Sequence, residues 1–133
     1  MQAAVGLAQL KRLANRTDRL RQIYRLYCHH LSEVTHVKLL PFDVDGGETP
    51  QWVDVLASDR DALVRYLEAR GVHCRPFWYP IHTQQPYRQS DAAFPHATRV
   101  APDAVWLPSA FSLSDDDVVT VCANIRQFYQ ARA

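Results

Sequence analysis

Lysine, glycine, cysteine and net charge are all scarce in this chain. Only two of its 133 residues are lysines, Lys11 and Lys38, against 13 arginines. Fifteen basic side chains nearly cancel 14 acidic ones and leave a formal charge of +1, so no global field draws the chain toward nucleic acid or anionic lipid. Neither is expected as a partner. No apolar run approaches the ~18 residues of a membrane span. In the opening MQAAVGLAQLKRL the basic residues follow the apolar stretch, the wrong order for a secretory signal. Cys28, Cys74 and Cys122 are an odd, widely spaced set that makes no disulfide framework, and a reduced cytoplasm is the expected setting. Among only four glycines there is no phosphate-cradling loop, and neither a GxSxG elbow nor an HExxH pair is present.

What is there suits a packed domain. Residues are 47% hydrophobic, 11% aromatic and 22% charged, which excludes a disordered chain. The length predicts a single domain over 1–133 that buries roughly two-thirds of its unfolded surface. From Gln2 to about Leu31, the apolar residues Leu10, Leu13, Leu20, Ile23, Tyr24, Tyr27 and Leu31 recur at helical spacing. One amphipathic helix of about 30 residues, ~45 Å long, is predicted. That exceeds what a chain of this size covers, so one end is expected to pack against something outside it.

Strands are predicted at Val37–Leu40, Gln51–Ala57, Val72–Tyr79 and Val105–Leu107. Pro76 places the third at an edge or ends its pairing early. Ser58, with Asp61 three residues on, reads as the cap of a helix running Asp59–Arg70 and stopped by Gly71. Pro95 opens a short helix to about Pro102. Ser114, with Asp117, caps the last helix, whose apolar side is Val118, Val119, Val121, Cys122, Ile125 and Phe128. This order predicts an α+β sandwich: a small, largely antiparallel sheet of three or four strands, the long N-terminal helix, and two or three further helices.

The densest chemistry lies between Arg75 and Tyr87 (RPFWYPIHTQQPY). One arginine, one histidine, two glutamines and four aromatics share 13 residues with three prolines that restrict the backbone. Such a loop suits a polar, ring-containing ligand. It equally suits an aromatic strand end that covers the core with His82 bonded to backbone, and spacing leaves both open. Cys28-His29-His30 does not converge on a metal, because neighbouring helical residues point about 100° apart. Asp115, Asp116 and Asp117 fit the positive end of a helix dipole. Asp43, Asp45 and Glu48 around Gly46-Gly47 lack calcium-loop spacing and read as a solvated turn. The arginines of the first helix do not share one side and read as a solvated or subunit-facing surface, with pyrophosphate contact their best ligand-binding use.

Three segments together resemble the DegT-like sugar-nucleotide aminotransferases, which depend on pyridoxal phosphate (PLP). They are Gln2–Leu10 with its basic helix, Gly71–Tyr87 (GVHCRPFWYPIHTQQPY), and Leu107-Pro-Ser followed by Leu113-Ser-Asp-Asp-Asp-Val118. Among that family's members the second segment is most similar to GDP-perosamine synthases. The resemblance runs from Gln2 to about Tyr129 and implies the small C-terminal domain of a fold-type-I enzyme that works as a homodimer. It implies that His82 approaches the sugar or cofactor, helped by Tyr79 and Tyr87, with Arg75 also against substrate and the helix arginines facing a nucleotide diphosphate. It further implies that the Schiff-base lysine and the phosphate cradle belong to a large domain absent from this sequence. Neither Lys11 nor Lys38 matches the family's lysine, so no PLP binding by this chain alone is expected. With Met1 at the junction, the sequence reads as a separate fragment or truncated frame, inactive alone. Its expected partners are a second copy, a separate large domain, or a nucleotide sugar.

Overall fold

Alternation in Val53-Asp54-Val55-Leu56-Ala57 places three small apolar side chains on one side of a strand, and all three are buried. In the computed structural model, which describes residues 2–132, that side becomes the floor of the core. The elements are α1 (Gln2–Leu10), α2 (Leu13–Leu31), β1 (Val37–Leu39), β2 (Val53–Ala57), α3 (Arg60–Glu68), β3 (Arg75–Pro76), α4 (Pro95–Val100), β4 (Ala104–Leu107) and α5 (Asp115–Gln130). The four strands form one sheet in the order β1-β2-β4-β3, with every pairing antiparallel. The α+β class and the antiparallel sheet are as predicted. Met1, where the expected separate start falls, lies outside the described residues.

Helices α2, α3 and α5 cover the inner face of the sheet. Ile23, Tyr27 and Leu31 from α2, Leu63 and Leu67 from α3, and Val118, Cys122 and Ile125 from α5 are all buried there with Val53, Val55, Val105 and Leu107. Each such side chain contributes roughly 1.5–3 kcal/mol on burial. Two tyrosines bridge layers by their hydroxyls: Tyr27 donates to the Pro108 carbonyl at 2.8 Å and Tyr129 to the Ser58 carbonyl at 2.7 Å. Burial pushes the Tyr129 hydroxyl up to about 12, so it stays a donor at neutral pH.

Three local predictions need correction. The N-terminal helix is not continuous. Arg12 N–H turns back to the Gln9 carbonyl and the Arg12 carbonyl starts the next helix, so the chain breaks at Lys11-Arg12. No residue of α1 is buried. Without a packed face beneath it, nothing obliges the first two turns to follow the axis of α2. Ser58 does not cap α3. Its N–H bonds the His36 carbonyl and its own carbonyl takes the Tyr129 hydroxyl, so the turn falls one residue later, at Asp59, in a left-handed conformation (φ 52°). The third strand shrinks to Arg75–Pro76, because the Val72 N–H is drawn back to the Leu67 carbonyl at the end of α3. Pro76, lacking an N–H, sits as expected on an edge strand.

The cap of α5 is as predicted. Asp117 N–H bonds Ser114 Oγ at 3.1 Å, and the Asp117 carboxylate takes the Ser114 N–H at 2.8 Å. The Ser114 hydroxyl and backbone N–H both hold the Asp117 carboxyl below its usual range. Its folded-state pKa therefore lies below the unfolded one. The stability it contributes is complete above the unfolded carboxylate value and disappears as pH falls through the folded one. Ser114→Ala should cost about 1 kcal/mol at neutral pH in urea unfolding, and should flatten the acid limb of the stability-against-pH curve relative to the parent.

Candidate functional site

The second face of the sheet is where the aromatic segment goes. Strand β4 is buried at all four positions, so Trp106 needs a cover on the side away from the helices. Trp52, Phe77 and Trp78 provide it, with ring centroids 4.7, 4.8 and 4.8 Å from that of Trp106. The Arg75 guanidinium lies 5.5 Å from the Trp106 ring, a cation–π contact. The residues that anchor this segment are therefore core cover. The residues beyond it are exposed: Tyr79 80%, Ile81 70% and Tyr87 62%.

His82 is elsewhere. It is 5% exposed, the one polar residue among the buried side chains described. Its Nε2 lies 3.2 Å from Asp91 Oδ1 and 3.3 Å from Thr98 Oγ1, and its ring stacks on Phe94 at 4.6 Å. The His82 carbonyl also accepts the Gln89 N–H at 2.9 Å. A carboxylate only accepts, so Nε2 carries the hydrogen that bonds Asp91. His82 thus joins the loop after β3 to the short turn Asp91–Ala93 and to α4. The ring is held by side chains, Asp91 and Thr98, rather than by the backbone bond expected of a histidine that merely covers the core.

Arg75, Tyr79, Trp78, Ile81 and Gln84 do converge. With Arg60 they line an open groove of about 710 Å³ on the outer side of β3. Tyr87 and His82 are not among its walls. Gln84 Nε2 donates to the Tyr79 carbonyl at 2.7 Å and the Gln85–Pro86 bond is cis. Arg60 had no signal in the sequence beyond its place in a first helical turn. It is brought here because its guanidinium donates to the Ala101 and Ala104 carbonyls. A groove with two guanidinium groups, three aromatic rings (Phe77, Trp78 and Tyr79) and an amide can hold a flat polar ring and an anionic group.

Three of the helix arginines, Arg19, Arg21 and Arg25, are used within the chain. Arg19 holds the Leu113 carbonyl and the Asp115 carboxylate, Arg21 the Gly47 and Glu48 carbonyls, and Arg25 the Asp45 carboxylate at 2.7 Å. Arg21 and Arg25 tie the Asp43–Glu48 turn to α2. Inside that turn Asp43 Oδ1 takes the Gly46 N–H at 2.8 Å, so closely that a side chain at Gly46 would overlap it. Among the described residues no group of three or more His, Cys, Asp or Glu side chains is arranged to hold a metal. Burial pushes the Cys74 and Cys122 thiols up to about 12 each, so neither supplies a thiolate at neutral pH.

A PLP site is not built from these residues. Lys38 lies in β1, exposed, and Lys11 at the exposed break between α1 and α2. Neither lines the groove. Among the described residues no helix is long and apolar enough to cross a membrane.

If His82 fastens the loop, His82→Ala should lower stability by about 2 kcal/mol through the lost stack and hydrogen bond. Limited proteolysis should then cut between residues 80 and 98 first, where the parent resists.

Comparison with known proteins agrees with this architecture. The profile of the DegT/DnrJ/EryC1/StrS aminotransferase family matches residues 1–126. The GDP-perosamine synthase of Escherichia coli O157:H7 is 32% identical over 130 residues, covering 96% of this chain and 35% of that protein. A dTDP-4-dehydro-2,3,6-trideoxy-D-glucose 4-aminotransferase from Saccharopolyspora spinosa is also 32% identical over 130 residues, covering 96% of this chain and 34% of its own length. Among solved structures, DesI in the presence of its TDP-sugar product superposes with a TM-score of 0.83 at 31% identity, over 98% of this chain and 37% of that one. The chain therefore spans about a third of the length of the relatives it matches.

Proposed function

The chain belongs to the DegT/DnrJ/EryC1/StrS aminotransferase family, and from that premise we propose that it is the small C-terminal part of a PLP-dependent sugar-nucleotide aminotransferase of the perosamine-synthase kind. It does not turn over alone. Its retained capacity is to associate with a second copy or to dock on a separate, lysine-bearing large domain. The single observation that carries this reading is the mismatch in extent: nearly the whole chain aligns, yet only about 35% of the GDP-perosamine synthase is covered. The placement of both lysines away from the groove supports it. Transamination draws on PLP as an electron sink held through a lysine amine. The residues here fit no such group, so no catalytic step is assigned to them.

The bare helix supports association. Val5, Leu7, Leu10 and Leu13 are each at least half exposed at the start of the chain, and exposed apolar area of this kind marks a contact surface. Light scattering after size exclusion should give a mass above that of one chain at high concentration; a clean monomer throughout would remove self-association. Addition of PLP should produce no aldimine absorbance. That absorbance should develop, together with amination of a nucleotide-linked ketosugar, only when the large domain of a relative is supplied.

A second reading is favoured by the groove itself. There Arg60, Arg75, Trp78 and Tyr79 suit a nucleotide sugar, which makes this chain a binding module of its own. His82 would support such binding through the loop rather than by contact. Calorimetric titration with GDP-linked sugars should show heat that Arg75→Ala weakens about tenfold. Absence of heat for the parent chain would end this second reading.

A further inference from the structure

Helices α2 and α5 run parallel. Arg19 in the first half of α2 pairs with Asp115 at the start of α5, and Arg126 near the end of α5 donates to the His30 carbonyl near the end of α2. Both helices therefore bring their electronegative C-terminal ends to the same end of the molecule. The chain leaves α2 through a tight turn, with the Val34 N–H on the Leu31 carbonyl and the Val37 N–H on the Val34 carbonyl, before it enters β1. Between that turn and the last turns of α5 lies a hollow of about 250 Å³. It shares no residue with the groove that carries Arg75 and Tyr79.

Two opposite charges line this hollow without neutralising each other. The acid is Glu33, exposed on the turn, and the base is Arg126, half-buried on α5. Neither is in an ion pair among the described residues. Arg126 gives one N–H to the His30 carbonyl at 2.9 Å, and its fork can still accept a carboxylate. The two helix ends add partial negative charge, which with Glu33 favours an ammonium group. A third side is apolar. The His36 ring lies flat on Tyr129, with centroids 4.9 Å apart and planes within 12°, and Val34 adjoins them. The Tyr129 hydroxyl is turned to the Ser58 carbonyl, so this residue offers the hollow its ring. The volume equals about eight waters at ~30 Å³ each, small beside the ~300–1,000 Å³ of pockets that take larger ligands.

We propose that this hollow is a binding site for a free α-amino acid with an apolar side chain. Its carboxylate pairs with Arg126, its ammonium group with Glu33, and its side chain lies against Val34 and the stacked His36 and Tyr129. The site is independent of the aminotransferase reading, since it uses neither the groove nor a coenzyme. A ligand with only one of the two charges makes one pairing and leaves the other residue as it stands in the free chain.

The test uses the full 133-residue chain, isotope-labelled and followed by amide NMR shifts at neutral pH. Three probes share one skeleton: L-leucine, 4-methylpentanoate, which lacks its ammonium group, and 3-methylbutylamine, which lacks its carboxylate. L-leucine should bind saturably and shift amides within 33–36 and 126–130, and each single-charge analogue should bind about tenfold more weakly. Glu33→Gln, an exposed change, should weaken L-leucine about tenfold and leave 4-methylpentanoate unchanged. Arg126→Gln should weaken L-leucine and 4-methylpentanoate and leave the amine unchanged. Arg126 also holds the end of α2, so Glu33→Gln decides the matter should the Arg126 variant fail to fold. No saturable binding of L-leucine would overturn the proposal. So would equal affinity for L-leucine and either analogue, shifts confined to other residues, or an unchanged L-leucine affinity in Glu33→Gln.

Discussion

The arrangement depends on the double-sided burial of β4. Ala104-Val105-Trp106-Leu107 lies between two other strands and is covered on both faces. Val105 and Leu107 face the helices, whose spacing of apolar residues demands just such a floor. Trp106 faces the other way, where no long helix lies, and its indole would be wet without a second cover. The segment after β3 supplies that cover. Its first residues, Arg75, Phe77 and Trp78, pack on Trp106, and the same three side chains form one wall of the open groove.

That packing explains the position of His82. Once Phe77 and Trp78 are pinned to the sheet, the chain turns at Pro80 into a short 3₁₀ turn, and His82 falls inward against Phe94, Asp91 and Thr98. Tyr79 and Ile81, on either side of the turn, point outward. The groove beside them is thus walled by residues that flank His82 rather than by His82. A buried, bonded histidine of this kind fixes the shape of its loop.

Arginine does most of the remaining tethering. A guanidinium reaches two carbonyls at once and stays charged at any pH the fold survives. Arg19, Arg21 and Arg60 each use that reach on backbone carbonyls, tying α2 to the segment before α5, α2 to the Asp43–Glu48 turn, and α3 to the segment before β4. Lysine, with a single point of charge, would not span these pairs. The 13-to-2 ratio of arginine to lysine therefore has a structural use, and it also leaves the chain almost without amines.

Local pattern was enough for much of this. Period-two alternation marked β2, the periodic leucines and valines marked α3 and α5, Ser114 with Asp117 marked a cap, Pro76 marked an edge, and the ordered segments 2–10, 71–87 and 107–118 pointed to the family. These are properties of neighbours in the chain, and neighbours are all that spacing reports. The break at Lys11-Arg12 has no proline or glycine to announce it, since it arises from the want of any surface under α1. The displaced cap at Asp59 follows from bonds that Ser58 makes to His36 and Tyr129, residues 22 and 71 positions away. The same is true of the outer face, where Asp54, Trp106 and Arg75 meet only because three strands align in one register, and where Arg60 arrives by bonding to carbonyls some 40 residues on. Sequence determined the elements and their kinship. Long-range contacts decided the pairing of Arg19 with Asp115 and of Arg25 with Asp45, and which rings would be left facing water, because the partners meet only when the sheet and helices are packed.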